Sequence, residues 1–279
     1  MASAWGSAAE GCIERWRGWH TARRPPMTDC WQARGKLPST EWMKPAGRSV
    51  AGCQWLHVAV SAQVTVYAIL PGRGYEQAVA VLGAAYDGFL VHDGWAPYYR
   101  FQYAFHQSCL AHLLKRCREM AQIASSAALA FPRAVEDLLE TSLELRDRHE
   151  QGEVSAHGLA IATGKLAAKL DRMLGTCRRN PANRRLARHL EHERPWVFTF
   201  LHCPGLDATN NAAERAIRGM VIARKVWGGN RTWNGARTHQ ILASVLRTCW
   251  QQGKDGFTRC VRLLHTPRSV VLDIVPGAG

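Results

Sequence analysis

The chain is poor in acid. Its 22 Asp and Glu stand against 36 Lys and Arg, a formal charge of +14 at pH 7 and a pI near 9.8. An imbalance of that size argues against cationic partners and for a polyanion, nucleic acid first and an acidic membrane surface second. Apolar runs of membrane length are also missing, and Met1 to Ala9 has neither a basic start nor an apolar core. A spanning helix and a secretory signal are therefore not expected, and no membrane partner is. The nine cysteines are odd in number and contain no Cys-x-x-Cys spacing, which argues against a disulfide framework and for a reduced, cytoplasmic protein with scattered buried thiols.

What is present fits one large domain, or a domain carrying an insertion: 279 residues with 47% apolar side chains bury a sizeable core. Residues 1–47 stand apart. Trp5, Trp16, Trp19, Trp31 and Trp42 are scattered among arginines, prolines and serines with no sustained period, so the segment reads as disordered, although disordered segments are normally short of aromatics. From Gln54 the texture changes. Gln54–Val60 and Gln63–Leu70 are β-branched and aromatic runs that predict a hairpin, and Glu76–Leu82 predicts a short helix. Phe89-Leu-Val-His-Asp-Gly-Trp-Ala-Pro-Tyr98 is an apolar run broken by an acid, a glycine and a proline, which predicts a buried strand opening onto a loop with Asp93 at its carboxyl end. Open α/β sheets keep their chemistry at that end, though an aspartate before glycine can simply cap the turn. Tyr103–Cys109 reads as another strand running into a helix from Leu110. Residues 133–195 read as wholly helical, and over 165–194 Lys165, Lys169, Arg172, Arg178, Arg179, Arg184, Arg185, Arg188 and Arg194 are opposed only by Asp171, Glu191 and Glu193. Such a surplus suits a phosphate backbone, and Arg178, Arg179, Arg184 and Arg185 are candidate DNA contacts. Asn210, Glu214 and Arg218 recur every fourth residue and so share a helix face; a surface pair between Glu214 and Arg218 is the plain alternative to a role in chemistry. The order of strands and helices implies a mixed α/β sheet flanked by helices.

His92-Asp-Gly-Trp-Ala-Pro-Tyr98, His106-Gln-Ser-Cys-Leu-Ala-His112, Asn210-Asn-Ala-Ala-Glu-Arg-Ala-Ile-Arg218, Arg224-Lys-Val-Trp-Gly-Gly-Asn-Arg231 and Gly235-Ala-Arg-Thr-His239 follow one another in this order. Together they resemble the catalytic domain of insertion-sequence-66 family transposases, over roughly Val50 to Phe257. The resemblance implies a ribonuclease-H-like DDE fold over 48–265, interrupted by the helical insertion 133–195 and followed by a tail, 266–279. It also implies an enzyme that cuts and joins DNA at insertion-sequence ends and target, in the bacterial cytoplasm and on the nucleoid when bound. Such enzymes hold two Mg²⁺ or Mn²⁺ ions on two aspartates and a glutamate; here Asp93 matches the second acid and Glu214 the third. Distant acids must converge because in-line attack on a phosphodiester asks one ion to activate the attacking oxygen and the other to stabilise the leaving one. Arg224, Lys225, Asn230 and Arg231 flank a Gly228-Gly229 turn where backbone can approach phosphate, so DNA contact is expected there. Cys109 and His112, with His106, supply three zinc-capable groups where a structural site wants four, so packing at a strand–helix junction is the better reading of that pair. A homo-oligomer is compatible with all of this.

One acid is missing. The family's first aspartate should open an Asp-Glu-Thr-Gly motif at position 43, twelve residues before Trp55, but Met43 stands there. Glu41 and Asp29 are nearby without the motif around them. Trp and Met have single codons, so Trp42-Met-Lys-Pro45 must be written TGG-ATG-AAR-CCN. Regrouped from the third base this is GAT-GAA-RCC, Asp-Glu followed by Thr or Ala, preceded by Met or Val. The adjacent frame thus encodes the motif where it belongs. The expectation is a frameshift just after Pro45, with 1–47 an out-of-frame, non-native segment, the DNA-binding region upstream of such domains lost, and the first strand lost or replaced. The chain would then be a transposase by descent with little catalysis. The rival readings are a non-catalytic DNA-binding remnant and a nuclease that recruits Glu41 as a substitute acid.

Overall fold

Two β-branched runs set the first hairpin. A computed structural model of the chain describes residues 39–42, 54–123, 126–177 and 183–265. Strand β2, Trp55–Val60, and strand β3, Thr65–Leu70, pair antiparallel. Their turn has no glycine. Ser61 closes it instead, its hydroxyl accepting the Val64 amide at 3.0 Å, the local side-chain bond by which serine favours turns. Strand β4, Phe89–His92, runs parallel to β5, Phe105–Ser108, and every residue of both is buried, as parallel strands covered on both faces require. The place of a first strand is taken by β1, Ser39–Trp42, antiparallel to β2 and parallel to β4. The sheet order is β3-β2-β1-β4-β5. The rest of 1–47 and the tail 266–279 lie outside the described residues.

Helices cover this mixed sheet. The short helix α1, Tyr75–Leu82, follows β3, and α2, Leu110–Ile123, leaves β5. Then come α3, Ser126–Glu150; α4, Ala156–Cys177; α5, Arg184–Glu193; and the single turn α6, Thr199–His202. These bury Leu138, Leu139, Leu170, Leu174, Leu186 and Leu190 together with Leu110 and Leu113 in one core. The helical insertion expected to begin at 133 has its first helix from Ser126, because Pro132 sits inside α3 rather than before it. A proline there removes the amide that would bond the carbonyl four residues back. The structure supplies a substitute: Asn183 Nδ2 donates to Ala128 O at 3.0 Å.

Helix α7, Asn211–Trp227, packs Ala213, Ala216, Ile217 and Met220 on Val58, Val60 and Tyr67 of the sheet. Helix α8, Trp233–Gln251, lies along the edge strand β3, and α9, Gly256–His265, follows it. An open edge leaves alternate amides unpaired and invites a foreign strand. Here the Thr65, Tyr67 and Ile69 amides donate to Thr248 Oγ1, Ser244 Oγ and Gln240 Oε1 at 3.2, 2.9 and 2.7 Å. The match is geometric: four residues of helix rise about 6 Å and two of strand about 6.6 Å. Among the described residues no helix is long and apolar enough to cross a membrane.

Candidate active site and nucleic-acid interface

The end of β4 carries Asp93. After His92 the chain turns at Gly94, whose φ of +84° is open to glycine and strained for other residues. That turn brings the Trp95 amide back onto Asp93 Oδ1 at 3.0 Å. The end of β5 is tied to the same place, since the Cys109 amide donates to His92 O at 2.8 Å. Cys109 then joins the helix of Glu214: its Sγ accepts the Asn210 amide at 3.1 Å, and the Leu110 amide donates to Ala208 O at 2.9 Å. Asn210 is the N-cap of α7, and its carbonyl takes the Glu214 amide at 3.2 Å. Asp93 and Glu214 therefore stand at the same carboxyl end of the parallel strands, linked through Cys109. Burial pushes the Cys109 thiol up to about 11, which keeps it protonated at neutral pH. Among the described residues no group of three or more His, Cys, Asp and Glu is arranged to hold a metal ion, so the Cys109/His112 pair has no zinc partners there.

Glu214 does not pair with Arg218 in this structure. His112 Nε2 faces Glu214 Oε1 at 3.5 Å instead, so one member of the Cys109/His112 motif lies at the strand–helix junction and the other against an acid of the candidate site.

Next to Asp93 lies a buried polar cluster. Glu193, at the end of α5, is 1% exposed. Ser108 Oγ donates to its Oε2 at 2.6 Å, and Tyr99 Oη meets its Oε1. Burial above all raises the Glu193 pKa, against the pull of its bonds to Ser108 and Tyr99. Burial also lowers His92 well below the histidine range, with His106, His192 and His189 adding to it. Sequence reasoning counted Glu193 only as an offset in a basic run. The signal that reveals it is periodicity, since Leu186, Leu190 and Glu193 fall at i, i+4 and i+7, an acid on the apolar stripe of its helix.

The basic residues divide by place. Arg184 and Arg185 are exposed at the far end of α5 from Glu193, about 12 Å along the axis, and Arg194 is taken by an ion pair with Asp171. Arg178 and Arg179 lie outside the described residues. Arg224 and Lys225 close α7, where Gly228 in the left-handed region returns its amide to Arg224 O at 2.9 Å. Asn230 and Arg231 follow in the turn to α8, and no Asp or Glu occurs between Glu214 and Asp255.

The domain is thus a mixed sheet covered by helices, with Asp93 after one parallel strand and Glu214 on a helix joined to the end of its neighbour. The family model described as Transposase IS66 family matches residues 39–238, and the chain belongs to that family. No curated protein and no solved structure matches it.

Proposed function

We propose that the chain is, by descent, the catalytic domain of a DDE transposase with a ribonuclease-H-like fold. It acts on DNA by metal-dependent strand cleavage and joining, and the lost first acid leaves it largely inactive. What supports this reading is that Cys109 is bonded both to His92, the residue before Asp93, and to Asn210, the N-cap of the helix that carries Glu214. Two carboxylates are hard oxygen donors of the kind Mg²⁺ or Mn²⁺ prefers. Asp93 and Glu214 would hold such an ion, which when bound polarises the phosphodiester and activates the attacking oxygen. The residues fit that role in kind but fall one acid short, which supports the loss of activity. Arg224, Lys225, Asn230, Arg231, Arg184 and Arg185 would track phosphate, and this chain binding DNA without cutting it is the form the function takes if repair of the frame does not restore catalysis.

The test is plasmid nicking in Mg²⁺ and Mn²⁺ by three proteins: the present chain, a version with the frame restored upstream of Ala46, and that version carrying Asp93→Ala. Removing one part of a catalytic unit abolishes most of its advantage. Nicking should therefore be confined to the repaired protein. Equal activity above background in the present chain and the Asp93→Ala control would mean that Asp93 is not in the active site.

One observation favours the Glu41 reading. Ser39 lies opposite Val91 in the parallel β1–β4 pair, so backbone position 41 is level with position 93. On that reading the present chain nicks DNA with Mg²⁺, and Glu41→Ala abolishes the nicking.

A further inference from the structure

Gly94, the residue after Asp93, is held from two sides. Its amide donates to His92 Nδ1 at 3.1 Å, His92 Nε2 faces His106 Nδ1 at 3.0 Å, and His106 Nε2 faces Phe101 O at 3.1 Å. A carbonyl only accepts, so His106 carries its proton on Nε2 and accepts at Nδ1. His92 must then carry its proton on Nε2, which frees Nδ1 to accept from Gly94. One proton on each ring satisfies all three contacts. Burial, the leading cause for both rings, holds them below the usual histidine range and so neutral.

On the other side, Tyr99 Oη lies 3.1 Å from Gly94 O and also meets Glu193 Oε1. Tyr99 has one hydroxyl hydrogen, and Gly94 O has none to give. Both contacts are hydrogen bonds when Tyr99 donates to Gly94 and Glu193, as the carboxylic acid, donates to Tyr99. Ser108 donates to the other Glu193 oxygen at 2.6 Å. The fit leaves no slack, for a Cβ on Gly94 would stand 2.8 Å from Glu193 Oε1 and 2.9 Å from His189 Cε1. The helix end that delivers Glu193 is itself anchored by the Arg194–Asp171 pair between it and α4.

We propose that Glu193 is a positioning residue of the Asp93 site: through Tyr99 it fixes the Gly94–Trp95 peptide, whose Trp95 amide donates to Asp93 Oδ1 at 3.0 Å, and with it that carboxylate. The helical insertion then completes the candidate active site as well as carrying basic surface. This rests on reading Asp93 as a metal-holding acid, and the experiment separates the two ideas.

The full chain and its Glu193→Gln, Glu193→Ala, Tyr99→Phe and Asp93→Ala variants are compared by amide hydrogen exchange over residues 91–99, by Mn²⁺ binding followed by electron paramagnetic resonance, and by Tm. Glu193→Gln keeps an N–H where the acid had its O–H, so exchange at the Trp95 amide and Mn²⁺ affinity should stay near those of the parent. Glu193→Ala and Tyr99→Phe should each speed exchange at the Trp95 amide and weaken Mn²⁺ binding about tenfold or more, the usual loss for an outer partner of a metal ligand. Tyr99→Phe keeps the ring that stacks on Trp196, so it remains informative if Glu193→Ala does not fold. Unchanged exchange at the Trp95 amide in Tyr99→Phe overturns the proposal, as does Glu193→Gln behaving like Glu193→Ala at an unchanged Tm. Mn²⁺ binding that ignores Asp93→Ala instead removes Asp93 from the metal site, while the exchange data still decide whether Glu193 holds Gly94.

Discussion

Replacing Asn183 by Leu should destabilise the protein by about 1–2 kcal/mol, and the loss should all but vanish once Pro132 is Ala. The reason is a missing hydrogen. Helix α3 contains Pro132, which cannot donate to Ala128 O, and Asn183 Nδ2 reaches across to that carbonyl at 3.0 Å. Ala128 is 0% exposed and Asn183 2%, so water cannot replace the bond. A buried carbonyl left without a donor costs about 1–3 kcal/mol. Asn183 Oδ1 is itself buried with no partner among the described residues. Leucine removes that existing penalty, which places the net loss in the lower part of the range. Asn183 stands at the N-cap position of α5 but makes no capping bond, so loss of a cap does not add to the effect. In a Pro132→Ala background the helix amide can reach Ala128 O itself, leaving Asn183→Leu little to remove. Urea unfolding of the four proteins of this cycle gives the coupling directly, about 1–2 kcal/mol if the bond acts as described. Equal losses in both backgrounds would refute the reasoning.

Stability should fall with acid from about pH 6.5 downward. His57 and His92 are buried, and burial lowers His57 to about 4 and His92 well below the usual range. Depressed histidines bind protons in the unfolded state first, so their contribution is whole above the unfolded pKa and is lost below it. With two protons the slope approaches about 2.7 kcal/mol per pH unit. Glu193, raised, acts in the opposite sense, its contribution present at low pH and lost as pH rises through its folded pKa. Urea titrations at pH 7, 6 and 5 with one common midpoint would contradict the histidine account. DNA affinity should weaken steeply with salt, and Arg224→Gln with Lys225→Gln should flatten the log–log slope by about 2 without changing sequence preference. A filter-binding series from low to moderate salt that shows no slope change would remove those residues from the interface.

The framework was legible because it rests on period and on turn formers. The β2–β3 hairpin, the strand running into Asp93 and the stripe of α2 all lie where alternating or helical spacing put them. The start of α3 was not legible, since proline normally bounds a helix and Pro132 lies inside this one. Only a donor 55 residues away in the chain makes it tolerable within one, and no local pattern announces such a partner. The pairing of Ser39–Trp42 with both β2 and β4 was likewise beyond reach, since four residues without alternation carry no strand signal of their own. The position of Glu214 was readable from its motif, but its neighbour was not. The i+4 rule names Arg218, whereas the side chain meets His112 of helix α2.

Helix α5 shows why charge counting understates a basic surface. Arg184, Arg185 and Arg188 are exposed, while Leu186, Leu190 and Glu193 are buried. In the sequence Glu193 and Asp171 look like offsets to the arginines around them. In the fold Glu193 has left the surface for the Asp93 loop, and Asp171 is occupied by Arg194. Burial of Glu193 leaves the exposed charge of the insertion more positive than its composition by that one acid, while the Arg194–Asp171 pair removes a charge of each sign. The acid that composition counts as neutralising the exposed arginines is, at the other end of the same helix, beside the Asp93 loop. An acid at a core position of an otherwise apolar stripe is costly to bury without a partner, and that cost marks it as a group with a task even before the partner is known.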